Sequence, residues 1–244
     1  MAPVAKELSS VASVLEPLQV APSLEGQVRE LHRALETHGS FPVTLIGWSW
    51  GAMLGFIYTA QHPSLVRKLV LVASGVFDSS YAGEIMKTRL ERLSDSHKAE
   101  AISLMDALEA GLADDRTAAL ARFGALMTEA DCYDQLPQSE GEAEKIEVSY
   151  EVYRCVWGQA EELRSSGKLL AMGKKIRCPV VAIHGDYDPH PAQGIRDPLS
   201  RVVKDFRLVL LEKCGHCPWS ERSARQEFFR VLKREILWSP RSQS

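Results

Sequence analysis

Four short apolar runs stand out from a chain that otherwise repeats at helical spacing. Val43 to Ile46, Val66 to Ala73, Cys178 to Ile183 and Arg207 to Leu211 are rich in β-branched and aliphatic residues, as buried strands are. Before the first run, Leu24, Val28, Leu31 and Leu35 keep helical spacing from Ser23, a good N-cap, to about Thr37, and Gly39 ends the helix. Ala52 to Ala60 continues the first run as an apolar helix that stops at Gln61-His62-Pro63. Ser223 to Leu237 reads as a closing amphipathic helix with Phe228, Phe229, Val231 and Leu232 inward.

Between about 77 and 172 the strand texture vanishes. Helices are predicted over Ala82–Leu93, His97–Leu112, Asp115–Met127 and Ala143–Arg164, divided by Gly111, Pro137 and Gly141. An independent helical domain fits this stretch, but an insertion fits better because strands resume after it. The expected architecture is therefore an α/β core over 1–76 and 173–244, with a mainly parallel sheet of about four strands, and a helical cap over 77–172. Residues 1–23 keep no period and are broken by Pro3, Pro17 and Pro22.

Composition narrows the function classes. Of 244 residues, 45% are hydrophobic and 25% charged, which is ordinary for a globular protein. A formal charge of −3 provides no basic footprint for nucleic acid or an anionic membrane. No apolar run is long enough to span a bilayer. The first residues lack a charged segment followed by an apolar one, so no secretory signal is expected. Five cysteines, an odd number, then point to reduced thiols and a cytoplasmic location.

Candidate chemistry follows three of the strands. Gly47-Trp48-Ser49-Trp50-Gly51 fits G-x-S-x-G between a strand and a helix. Glycines at 47 and 51 would let strand and helix approach around a strained Ser49, pushing its hydroxyl clear of the backbone. The helix N-terminus would bring free N–H groups towards any oxyanion formed there. The third strand runs into His184-Gly185-Asp186-Tyr187-Asp188, and the fourth into Cys214-Gly215-His216-Cys217. In a parallel sheet, ligands collect outside such strand ends.

Strand–Ser, strand–Asp and strand–His in this chain order resemble the α/β-hydrolase fold, in the broad group of prolyl-iminopeptidase-like and esterase-like members. The resemblance covers roughly residues 24–235. It implies Ser49 as nucleophile, His216 as general base, Asp188 as the acid that orients it, and the Trp50 N–H as an oxyanion donor. Asp186 is the other candidate acid; His184 is expected to be packed, and His190 to be a surface or pocket residue. Trp48, Tyr81, Tyr153 and Trp157 are candidate substrate-pocket residues. The implied function is a cofactor-free serine hydrolase of small esters, amides or related acyl compounds, forming an acyl-enzyme. A non-catalytic binding protein of the same fold is the reading from another class. Cys214-Gly215-His216-Cys217 also resembles a redox dithiol, although too little chain follows it for a thioredoxin-like domain. No metal is expected: His32, His38, His62 and His97 show no ligand spacing, and the dithiol lacks two further zinc ligands.

The resemblance also implies a gap. Family members carry strands before the elbow, and a glycine-containing loop that completes the oxyanion hole. Only 48 residues precede Ser49 here, and the one glycine before Gly39 is Gly26. The first strand should then lie at an open edge, either covered by 1–23 or available for self-association.

Overall fold

The computed structural model describes residues 1–137 and 149–237. In chain order the elements are α1 (Ala2–Leu8), α2 (Leu24–His38), β1 (Val43–Trp48), α3 (Trp50–Gln61), β2 (Val66–Val72), α4 (Ile85–Arg92), α5 (Asp95–Glu109), α6 (Arg116–Asp131), α7 (Tyr150–Ser165), α8 (Lys168–Met172), β3 (Val180–Gly185), α9 (Gln193–Val202), β4 (Phe206–Leu211) and α10 (Arg225–Leu237). The four strands form one parallel sheet in the order β1-β2-β3-β4.

Alternation along the two central strands builds two cores, one on each face of the sheet. Leu69 and Leu71 of β2, with Val180 and Ala182 of β3, face a core completed by α2, α3, α8 and α9. Their neighbours Val70, Val72, Val181 and Ile183 face the other way, towards α1 and α10. Helix α3 has no polar stripe, because Ala52 to Ala60 is buried throughout. Helices α4 to α6 add a separate cluster around Leu93, Ala101, Leu126, Met127 and Ala130, so the segment between β2 and β3 is a helical insertion with packing of its own.

Three details depart from the sequence expectations. Residues 2–8 form a helix, with Pro3 in the first turn where its missing N–H costs nothing, and Val4 and Leu8 bury against the α10 side. Helix α9 was not expected, since Pro198 lies inside it. Proline removes the bond to Gly194, and that carbonyl instead accepts the Phe77 N–H at 3.0 Å. Helix α7 starts at Tyr150, where Ser149 accepts from the Val152 N–H. The expected residues 143–148 lie outside the described residues.

Strand β1 is at the sheet edge, as expected. The N-terminal helix covers a face of the sheet rather than this edge, and no backbone hydrogen bond joins 1–23 to β1 among the described residues. No helix among the described residues is long and apolar enough to cross a membrane.

Candidate active site

Ser49 sits where β1 ends and α3 begins, with φ at +51°. A non-glycine residue there costs about 1–3 kcal/mol and persists only when its surroundings hold it. Here its N–H bonds the Val72 carbonyl at 3.0 Å, and its own carbonyl accepts from Ala52 at 3.1 Å. Gly47 is required by the turn: a Cβ there would lie 2.2 Å from the Gly51 carbonyl oxygen. Gly51 is not required in the same way, because a Cβ on it would meet nothing within 4 Å. The tight approach therefore depends on one glycine of the pair.

The loops that carry Asp188 and His216, the acid and base loops after the roles the resemblance implies, are equally close. A Cβ on Gly185, at the end of β3, would lie 2.0 Å from the Cys214 carbonyl oxygen. The two carboxylates of the acid loop separate by role. Asp186 accepts the Cys214 N–H at 3.1 Å and so ties one loop to the other. Asp188 is buried, and its Oδ2 lies 2.7 Å from His216 Nδ1. His216 Nε2 lies 3.0 Å from Ser49 Oγ. With the Nδ1–H donating to Asp188, Nε2 is free to accept the serine hydroxyl.

Asp188 has more partners than His216. Its Oδ1 accepts both the backbone N–H of His190 at 2.9 Å and that residue's ring Nδ1–H at 2.7 Å. The His190 carbonyl accepts from His184 Nε2 at 2.7 Å. Burial alone would raise the Asp188 pKa, but the charges of His216 and His184 and the hydrogen bonds from His190 and His216 hold it well below the usual carboxylate range. Burial opposes charge on His216, yet the Asp188 carboxylate outweighs it and holds the imidazole above its ordinary value. On His190 burial prevails, and its pKa is lowered.

The base loop is fastened to the helical insertion by a buried carboxylate. Glu221 accepts the N–H groups of Gly215 at 2.9 Å and of Tyr133 and Asp134 at 2.8 Å each. The His216 N–H donates to the Asp131 carbonyl at 2.9 Å. The Asp131 side chain takes a bidentate pair from Arg89 on α4, at 2.7 and 2.6 Å. Gly215 leaves room for this contact, since its Cβ would fall 2.0 Å from the Asp131 carbonyl oxygen.

The candidate pocket residues scatter. Trp48 turns its indole N–H to the His216 carbonyl at 2.8 Å and packs edge-on against Trp219. Trp50 donates from its indole to buried Gln27 at 2.7 Å. Tyr81 packs beside Gly194 in the core. Tyr153 and Trp157 stack on one another along α7 and remain partly exposed. Sequence reasoning missed Asp131, Glu221 and the ring contact of His190. Only His190 carried a signal: an aspartate often accepts the N–H two residues on, which folds that residue back over it.

The cysteines do not resemble a redox pair. Cys214 and Cys217 are free thiols whose pKa values are pushed up by burial, whereas a reactive dithiol needs a lowered one. Asp188, His190 and His216 bring ligand atoms within 4.8 Å of each other, a spacing that could suit a cation. Ring N–H donors on both carboxylate oxygens account for that cluster without an ion.

Comparison with known proteins places the fold in a family. The alpha/beta hydrolase fold family profile matches residues 22–222. The monoacylglycerol lipase abhd6-B of Xenopus laevis is 25% identical over 205 residues, spanning 82% of this chain and 57% of that protein. The chain thus spans little more than half of that relative's length. A pimeloyl-[acyl-carrier protein] methyl ester esterase of Neisseria meningitidis is 24% identical over 230 residues, spanning 93% of this chain and 78% of the esterase. Among solved structures, VinJ superposes with a TM-score of 0.57 at 16% identity, covering 88% of this chain and 72% of VinJ, a likeness of fold.

Proposed function

The chain belongs to the α/β-hydrolase-fold family, and from that premise we propose that it is a serine hydrolase acting on a small ester, amide or related acyl compound. The observation that carries the proposal is the unbroken hydrogen-bond chain from Ser49 Oγ through His216 to Asp188, at 3.0 and 2.7 Å. In this reading Ser49 attacks the acyl carbonyl and its proton passes to His216 Nε2. Asp188 holds the ring in the required tautomer and stabilises the imidazolium. The Trp50 N–H, at the start of α3 and so without an intrahelical acceptor, donates to the oxyanion. Collapse expels the alcohol or amine with the proton from His216. Water then repeats the sequence on the acyl-enzyme.

Residues 77–172 act as a lid over the strand ends, supported by the Glu221 and Asp131 bonds that fasten the insertion to the base loop. Tyr153 and Trp157, stacked and partly exposed on α7, are the aromatic surface on which we place the substrate's acyl group. The two relatives are named a lipase and an esterase, which supports an ester ahead of an amide.

The test is labelling with a fluorophosphonate probe, followed by a screen of ester chain lengths and aminoacyl amides. Ser49 should be the labelled residue, and Trp157→Ala should shift the preferred chain length. A folded protein that neither labels nor hydrolyses any member of the panel would leave the non-catalytic binding reading in its place.

A further inference from the structure

Asp188 is shared between two imidazoles. One serves Oδ2: His216 donates from Nδ1 at 2.7 Å. The other serves Oδ1: His190 donates from its own Nδ1 at 2.7 Å and from its backbone N–H at 2.9 Å. Both rings are buried, 5.0 Å apart between centroids. Orienting a base requires only one ring on a carboxylate, so the second needs its own explanation.

His190 is held too firmly for its contact to be incidental. Its N–H is fixed by Asp188, and its carbonyl accepts from His184 Nε2 at 2.7 Å. With the backbone pinned on both sides, the ring can reach back to the same carboxylate. The His184 ring stands 3.7 Å from Oδ2, outside hydrogen-bond range, and cannot replace it.

We propose that His190 is a positioning residue for His216, acting through Asp188. Its ring N–H anchors Oδ1, which leaves Oδ2 directed at His216. It also draws on the charge of the carboxylate, so His216 faces a partly neutralised partner and gives up a proton more readily than it would to Asp188 alone. In a hydrolase this extends the pH range over which the base is neutral and ready. That consequence rests on the serine-hydrolase reading; the effect on the ring itself does not.

The surrounding charges leave the effect separable. His216 is acted on by Asp188 and Asp131, which favour its charged form, and by Arg89 on α4, which opposes it. His190 is acted on by Asp188, by His216 and by the same Arg89. Asp188 also senses His184. A substitution at 190 leaves each of these other groups in the chain, so a change in the His216 titration is traced to the lost contact with Asp188. Burial keeps His190 itself below its ordinary pKa, so near neutral pH it acts as an uncharged donor.

The experiment is a histidine titration by long-range ¹H–¹⁵N NMR on the full chain, comparing wild type with His190→Phe, His190→Ala and His190→Asn. Phe and Ala lack the ring N–H and should raise the His216 pKa by about one pH unit. Asn keeps an N–H at the same reach and should stay close to wild type. An unchanged or lowered His216 value in either Phe or Ala overturns the proposal, and so does an Asn variant that behaves like Phe. If Phe is too large to fold, Ala carries the same expectation in a smaller side chain. The acidic limb of kcat/KM should move with the NMR value. A shift seen by NMR in a chain whose Ser49 does not label would sink the serine-hydrolase reading and leave this one standing.

Discussion

At the N-terminal ends of the strands, Lys68 and Glu235 are buried side by side, with Lys68 Nζ 2.7 Å from the Glu235 carbonyl oxygen and 3.4 Å from its carboxylate. At the C-terminal ends, Asp188 is buried against His216 and His190, with His184 beside them. Both ends bury a carboxylate, and both hold it ionised below its ordinary pKa. The partners differ in kind. Glu235 is paired with Lys68, Arg207 and Arg234, an ammonium and two guanidinium groups. Asp188 is paired instead with imidazole N–H donors, on side chains that can take up or release a proton. Buried charge paired with an ammonium and guanidinium groups serves the fold, whereas in the proposed serine-hydrolase reading the carboxylate paired with imidazoles serves proton transfer.

The sharpest way to break the comparison is to remove the proton relay. Ser49→Ala and His216→Ala should each reduce turnover by on the order of 10⁴–10⁶ while circular dichroism and melting stay near wild type. Asp188→Asn should cost on the order of 10⁴ by favouring the wrong tautomer, and Asp186→Asn far less, because its role is to accept the Cys214 N–H. Wild-type turnover in Ser49→Ala, or collapse in Asp186→Asn with Asp188→Asn active, would remove the distinction.

The other end should respond in stability rather than rate. Glu235→Gln leaves Lys68 buried against a neutral group and should cost roughly 3 kcal/mol of unfolding free energy near pH 7. Because Glu235 has a lowered pKa, its stabilisation is present above its ordinary value of 4.5 and fades as pH falls below it. Chemical denaturation at pH 7 and at pH 3 should therefore show a gap between variant and wild type that closes in acid. Turnover per folded molecule should not change. A gap equally wide at both pH values would refute the assignment.

The smallest effect is a displaced pH limb. In the serine-hydrolase reading His216 must be neutral to accept the serine proton, and its pKa is raised above 6.5, so kcat/KM should fall as pH drops through a value above 6.5. A limb centred below 6 would mean that Asp188 does not govern the ring.

How much of this was legible in the chain differs from element to element. The strand β2 was plain from Leu69 onward, because the part of a strand buried on both faces is apolar at every position, as Leu69 to Val72 are. Helix α9 was hidden by Pro198, since no local rule reveals that Phe77, more than a hundred residues earlier, takes up the carbonyl that the proline leaves free. The elbow was readable because strand, G-x-S-x-G and helix are contiguous. Glu221 was not, because its three acceptor contacts reach N–H groups in two separate segments.

By itself the sequence determined the parallel sheet, its two faces, the helical insertion and the strand ends that carry Ser49, Asp188 and His216. These follow from hydrophobic period and from motifs confined to a few consecutive residues. The motif put Asp188 ahead of Asp186 as the partner of His216; only the tertiary structure decided that His190 shares that carboxylate, that Glu221 ties the His216 loop to the insertion, and that Trp48 supports the same loop. Those outcomes depend on contacts of about 3 Å made only once the chain has folded, where a hydrogen bond forms or fails within fractions of an ångström.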